Sequence, residues 1–166
     1  MKRSLPVAAV ALAISAFSAS ADEYSKYGEV DGWTVYRNET VQTCLIERVR
    51  EDHILQMGWS QEKEGQVYLG VYVPEDIGRR DNQRLDLVID LDGKRYTTEA
   101  RTETKRITEG YEGGYFVGDN VDFWEDVARK YVMTIFPDDE NALTIDLDGT
   151  FNAMTMAMKC GEESGS

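Results

Sequence analysis

Two cysteines, Cys44 and Cys160, and a single histidine, His53, are the first residues in this chain that could do chemistry. A nucleophilic cysteine needs a base to activate its thiol, and one histidine leaves little choice of base, so a catalytic thiol is disfavoured. In a secreted chain, two cysteines predict one disulfide. By the chain-entropy model, a disulfide that closes the long loop between Cys44 and Cys160 stabilises the fold by about 4–5 kcal/mol.

Three methionines, Met154, Met156 and Met158, precede Cys160 and bring soft thioether sulfurs that suit Cu(I). Alternation of these residues would place the sulfurs on one face of a strand, whereas a helix turns Met156 away from the other two. Segment 150–160 is predicted as a helix, because Ala and Met favour helices and Gly161 suits a C-terminal stop. These methionines are therefore only weak metal candidates, and no cofactor is expected.

An arginine cluster, Arg79, Arg80 and Arg84, lies in a charged loop that follows Pro74. Guanidinium groups recognise anionic ligands through charge-assisted hydrogen bonds, so this loop is a candidate ligand-binding segment. A solvated connection between strands is the simpler interpretation. No nucleophile elbow, phosphate loop or metal-binding histidine pair occurs, and the chain is not expected to be an enzyme.

Short runs rich in aromatic and β-branched residues, separated by turn residues, favour strands along most of the chain. Asp92-Gly93 and Asp148-Gly149 are predicted turns. One helix is predicted at 120–131, capped by Asp119 or Asn120, with Val121, Trp124, Ala128 and Tyr131 on one face. The expected fold is mainly β (α+β): an antiparallel β-sandwich or strongly bent sheet of about eight to ten strands, with one or two packed helices.

The first 21 residues have the features of a secretory signal peptide: Lys2 and Arg3, an apolar run from Leu5 to Phe17, and small residues before Asp22. That run is about 13 residues, shorter than a membrane span. Residues 22–166 are predicted to form a single β-rich domain with a short disordered tail, 162–166. Within it, the polar stretch 22–29 is expected to be a loose lead-in, and 103–107 is expected to be a short strand. We expect a periplasmic or secreted protein without a membrane-spanning segment after signal cleavage.

The charge balance of residues 22–166 is strongly acidic, with sixteen basic and thirty-one acidic residues, a net charge of −15. This charge repels phosphate backbones and anionic lipid, which disfavours nucleic acid and acidic membranes as partners. A basic protein or another envelope protein is the kind of partner it allows. The oligomeric state does not follow from the sequence.

Two stretches of the chain resemble the invasion-associated locus B family of exported bacterial proteins. They are Gly32-Trp33-Thr34-Val35 leading to Thr43–Arg48, and Leu147–Met154. The chain departs from the family in two places. Tyr36 lies near the position where the family often has a cysteine, and Cys160 lies at the end of the final predicted helix. The resemblance implies a β-rich envelope protein with its own disulfide, and it transfers no binding residue.

These observations favour an exported, non-enzymatic envelope or periplasmic protein that binds another macromolecule. Two alternatives stay open at this point. One is a carrier of a small ligand or copper, using the arginine loop or the methionines. The other is an acidic inhibitor of a basic exported enzyme such as a lysozyme, steered to its target by charge.

Overall fold

The structure is a computed structural model and describes residues 24–59, 65–74, 77–103 and 110–165. The predicted signal peptide, most of a predicted short strand at 103–107 and the final tail residue lie outside these ranges. Ten strands and two helices are found within them: β1 Tyr24–Val30, β2 Trp33–Asn38, β3 Cys44–Val49, β4 Ile54–Trp59, β5 Val67–Val73, β6 Arg84–Leu91, β7 Lys94–Glu103, β8 Glu112–Gly118, α1 Val121–Arg129, β9 Val132–Ile135, β10 Leu143–Asp146 and α2 Thr150–Ser164.

All ten strands form one antiparallel sheet in the order β1-β2-β3-β4-β5-β8-β7-β6-β9-β10. The predicted mainly-β class is confirmed, and of the two forms considered the single bent sheet is found. The end of β10 reaches back to β2 and β3: Trp33 Nε1 donates to the carbonyl of Asp148, and Arg48 Nη1 donates to the carbonyl of Asp146. This bend lets strands from both ends of the sheet share one core.

The core lies on the face of the sheet that α1 and α2 cover. It is apolar and fully enclosed, as expected for strands that alternate between core and solvent. Its largest buried side chains are Trp33, Ile46, Leu55, Met57, Leu69, Ile89, Leu91, Met133, Ile145 and Leu147.

Two hairpins have two-residue Asp-Gly turns. In the β6–β7 turn Asp92 and Gly93 have φ of 47° and 89°, and in the β1–β2 turn Asp31 and Gly32 have φ of 49° and 77°. Turns of this kind need left-handed residues at both positions, which Asp and Gly tolerate better than most. The first of these turns confirms the sequence prediction.

The first and last of the described residues are more ordered than the sequence predicts. Residues 22–29 are expected to be a loose lead-in, but those that the structure describes, 24–29, belong to β1, which pairs with β2. The helix α2 was expected to stop at Gly161 before a disordered tail, but it continues to Ser164. Gly165, with φ of 81°, is the left-handed residue that ends it.

Candidate functional site

An open surface cleft of about 390 Å³ lies where the end of α1 meets the start of α2. We call it the helix-end cleft. Its lining comes from the α1 end, from the connection between β10 and α2, and from the β1–β2 turn. The lining residues are Asp31, Ala128, Arg129, Lys130, Tyr131, Leu147, Asp148, Gly149, Thr150, Phe151 and Asn152.

Two aromatic side chains of the helix-end cleft face solvent. Tyr131 is 68% exposed and Phe151 is 60% exposed, whereas Trp33 and Phe123 are at most 4% exposed. Large exposed apolar groups that lie together beside a cleft are typical of interaction surfaces. The two aromatic groups therefore make this cleft the candidate site.

The α1 wall is held in place from both ends. Asn120 is the N-cap, and its side-chain oxygen accepts from the Phe123 amide at 3.2 Å. Near the other end, Asp126 accepts from the Tyr96 hydroxyl at 2.6 Å and pairs with Lys94 at 2.9 Å. These contacts tie α1 to β7 and fix the direction in which the chain leaves the helix at Tyr131.

The Asp126 contacts also shift proton affinities. The hydrogen bond from Tyr96, together with Lys94, lowers the pKa of Asp126. Burial, and then the bond to Asp126, raises the pKa of Tyr96 above its ordinary value, so the phenol stays neutral at physiological pH. The network is suited to positioning α1 and offers no general base.

The α2 wall is held by the connection that precedes it. The carbonyl of Asp148 accepts two hydrogen bonds of 2.9 Å, one from the Trp33 indole and one from Arg48. Gly149 has φ of 78°, and a Cβ built there would lie 2.5 Å from the Cβ of Asp31. Only glycine fits this close approach, which brings the β1–β2 turn up to the start of α2.

Arg48 is a buried cation beneath this connection, with a side chain only 5% exposed. It lies over the Trp33 ring at 5.2 Å and pairs with the carboxylate of Asp146 at 3.6 Å. Burial, and to a smaller extent Arg50, lowers the pKa of Arg48, but a guanidinium remains charged at physiological pH. Its two carbonyl contacts and the Asp146 carboxylate offset the cost of burying the charge.

The predicted disulfide is present between Cys44 and Cys160, with the two Cα atoms 6.1 Å apart. Both residues are at most 2% exposed. The bond fastens α2 to β3 and so fixes the helix whose start forms one wall of the helix-end cleft. A buried disulfide of this kind is compatible with an oxidising compartment.

The three arginines Arg79, Arg80 and Arg84 do not line the helix-end cleft. Arg79 and Arg80 lie in the loop before β6 and are exposed, and Arg84 is on β6, where it pairs with Glu99 at 3.2 Å. The backbone carbonyl of Arg80 accepts from the buried Thr102 hydroxyl. An anion-binding role for this loop stays a prediction, with one of its three guanidinium groups already matched by a carboxylate.

The three methionines lie on α2, as the helix prediction requires, and their sulfurs do not share a face. Met154 packs against the core, Met156 lies against Gly28 of β1, and Met158 is 49% exposed. Within the described part of the chain, no group of three or more His, Cys, Asp or Glu side chains is arranged to hold a metal.

The helix-end cleft is the feature that the sequence did not predict. Tyr131 was expected on the buried face of the first helix with Val121, but these residues are 68% and 65% exposed. The helix ends at Arg129, and its buried residues are Phe123, Trp124 and Val127. The sequence signal for the cleft was limited to the charged residues Arg129 and Lys130 beside Tyr131 at the end of the helix.

Comparison with known proteins places this β-rich, disulfide-linked fold beside one solved structure in particular. No model of a protein family matches the chain, and no curated protein matches it. The crystal structure of invasion associated protein B from Bartonella henselae is similar, with a TM-score of 0.55 over 84% of this chain and 99% of that one. The sequences are 16% identical, so the similarity is one of fold.

No helix in the described ranges has the length and apolar character needed to cross a membrane.

Proposed function

We propose that this chain is an exported, non-enzymatic protein that binds another protein through the helix-end cleft. The observation that carries the proposal is the exposure of Tyr131 and Phe151 on either side of it. Aromatic side chains supply much of the binding energy in protein interfaces, and they lose little conformational entropy on binding. Two of them on the surface of a chain whose tryptophans are mainly buried suggest a contact surface.

Several features support export and binding together. The predicted signal peptide and the buried disulfide fit an oxidising compartment outside the cytoplasm. The solved structure that shares the fold is that of an invasion associated protein. These three features agree with an envelope or secreted protein whose role is contact with a partner.

The residues near the cleft give little support to catalysis. The only histidine, His53, is buried, and its Nδ1 lies 2.8 Å from Asp52 on a different part of the sheet. Both cysteines are used in the disulfide, and the pKa of Tyr96 is raised. Among the described residues of the cleft there is no nucleophile beside a base.

The proposal is tested by site-specific crosslinking in the cell-envelope extract. A photoreactive benzoylphenylalanine at position 151 is expected to capture a partner, whereas the same group at Val49, which is also exposed, captures none. Phe151→Ser and Tyr131→Ser should each weaken binding of that partner by about 1–2 kcal/mol. Urea midpoints near that of the native protein would show that both variants are folded.

A partner that binds the Ser variants as tightly as the native protein would place the contact elsewhere. Equal crosslinking at Val49 and Phe151 would have the same meaning. Absence of any crosslinked partner at position 151 in the extract would refute the proposal.

A further inference from the structure

We propose that the helix-end cleft receives an arginine or lysine side chain from a basic partner protein. This inference rests on the proposed function for the location of the contact, and it adds the chemical class of the partner. It follows from the charges on the two walls of the cleft, from its aromatic groups and from the charge of the whole chain.

Two carboxylates on the α2 side of the cleft form no ion pair with a described residue. Asp31 accepts a hydrogen bond of 2.6 Å from the Asn152 side chain, which leaves its charge uncompensated. The Asp148 side chain is exposed, and only its backbone groups are held, by Trp33, Arg48 and Asp146. Arg48 below them is paired at 3.6 Å with the Asp146 carboxylate and also interacts electrostatically with Asp148, so the charge of Asp148 is partly offset and that of Asp31 is not.

The basic residues on the α1 side, Arg129 and Lys130, are partly matched by carboxylates of α1. Arg129 lies 3.8 Å from Glu125, one turn earlier. Lys130 lies close enough to Asp126 to help lower the pKa of that carboxyl group. Asp126 is also paired with Lys94 at 2.9 Å, so Lys130 is only partly matched. The two aspartates therefore leave the cleft with a small excess of negative charge.

The aromatic groups favour a cation over a neutral polar group. Arginine and lysine are attracted to the faces of tyrosine and phenylalanine, most strongly where water is partly excluded. Tyr131 and Phe151 line the same cleft as the two aspartates. A guanidinium entering there would find an aromatic face and a carboxylate together.

The charge of the whole chain selects the same class of partner. At −15 for residues 22–166, a second copy of this chain would be repelled, whereas a basic protein would be attracted from a distance. Charge complementarity thus favours a basic partner over self-association at this surface.

The direct test is an NMR titration of residues 22–166 with N-acetyl-arginine amide. Its neutral isostere, N-acetyl-citrulline amide, is the matched control. Amide shifts are expected at 31, 129–131 and 147–152 with the arginine probe, and much smaller shifts with citrulline. Equal shifts with both probes, or shifts confined to other segments, would overturn the inference.

Two aspartate variants extend the test to the crosslinked partner. Asp148→Asn and Asp31→Asn should each weaken arginine and partner binding about fivefold. Asn tolerates the left-handed conformation of Asp31 and can still accept from Asn152. Glu140→Gln removes the same charge at the opposite end of the β9–β10 hairpin and should leave binding within about twofold of the native value.

These variants separate the two proposals. If Phe151→Ser abolishes partner binding while both aspartate variants bind normally, the cleft is the contact surface but the basic side chain is wrong. If sedimentation shows a dimer that Phe151→Ser disrupts, a second copy fills the cleft and the inference is refuted. If neither set of variants affects the partner, both proposals fail.

Discussion

Removal of the Cys44–Cys160 disulfide should cost most of the stability of this fold. The two residues are 116 apart in sequence. A closed loop of that length lowers the entropy of the unfolded chain, which stabilises the folded state by about 5 kcal/mol at 25 °C. Stabilities of whole domains are only about 5–15 kcal/mol, so the Cys44→Ala/Cys160→Ala protein should be marginally folded. Alanine is the better choice because both sites are buried, and serine would bury an unpaired hydroxyl.

Equilibrium unfolding in urea, followed by tryptophan fluorescence and far-UV circular dichroism, measures this loss. The midpoint should fall by about 2 M or more, given slopes of roughly 1–3 kcal/mol per M for proteins of this kind. Cys44→Ala alone should be destabilised nearly as much as the double variant, because either change opens the loop. A double variant that loses less than about 1.5 kcal/mol would show that the unfolded chain is already restricted without the bond.

Two further predictions concern α2 and α1. Gly149→Ala should lower the free energy of unfolding by about 2 kcal/mol or more, because the new Cβ would collide with Asp31. Gly165→Ala is the control: it has a similar φ but open space around it, and it should lower the free energy of unfolding by about 1 kcal/mol. Equal urea midpoints for the two variants would show that the contact with Asp31 does not matter. Asp126 has a pKa below its ordinary value of 3.8, so the stability it adds is present above that pH and is lost as the pH falls through its lower folded-state pKa. Asp126→Asn should therefore lose less stability between pH 6 and pH 3 than the native protein, and identical acid losses would refute this.

Elements whose cause lies within a few residues could be predicted from the sequence. The Asp92-Gly93 turn and the Asn120 cap depend on local hydrogen bonds and φ values. The turn was predicted, and Asn120 was one of the two residues predicted as the cap. The strand β1 was not, because Tyr24–Val30 becomes a strand by pairing with β2. Asp31-Gly32 carries the same turn signal as Asp92-Gly93 and would have indicated that hairpin.

Of the features that form the candidate site, only the disulfide could be predicted from the sequence. Two cysteines allow a single disulfide, and that bond is present. The helix-end cleft depends instead on where α1 ends relative to the start of α2. That arrangement is set by the pairing of β9 with β10, including the hydrogen bond from the Leu147 amide to the Tyr131 carbonyl, and by the hydrogen bonds from Arg48 and Trp33 to Asp148. The last two bonds cross 100 and 115 residues, and no local pattern encodes such distances.

The two hydrogen bonds to the Asp148 carbonyl also constrain the order of events during biosynthesis. A chain that emerges N-terminus first presents Trp33 and Arg48 early, but the acceptor that both require emerges more than a hundred residues later. Until then the Trp33 indole and the Arg48 guanidinium lack the carbonyl to which they donate in the folded protein. The core around Trp33 and Arg48 can therefore be completed only after Asp148 has emerged.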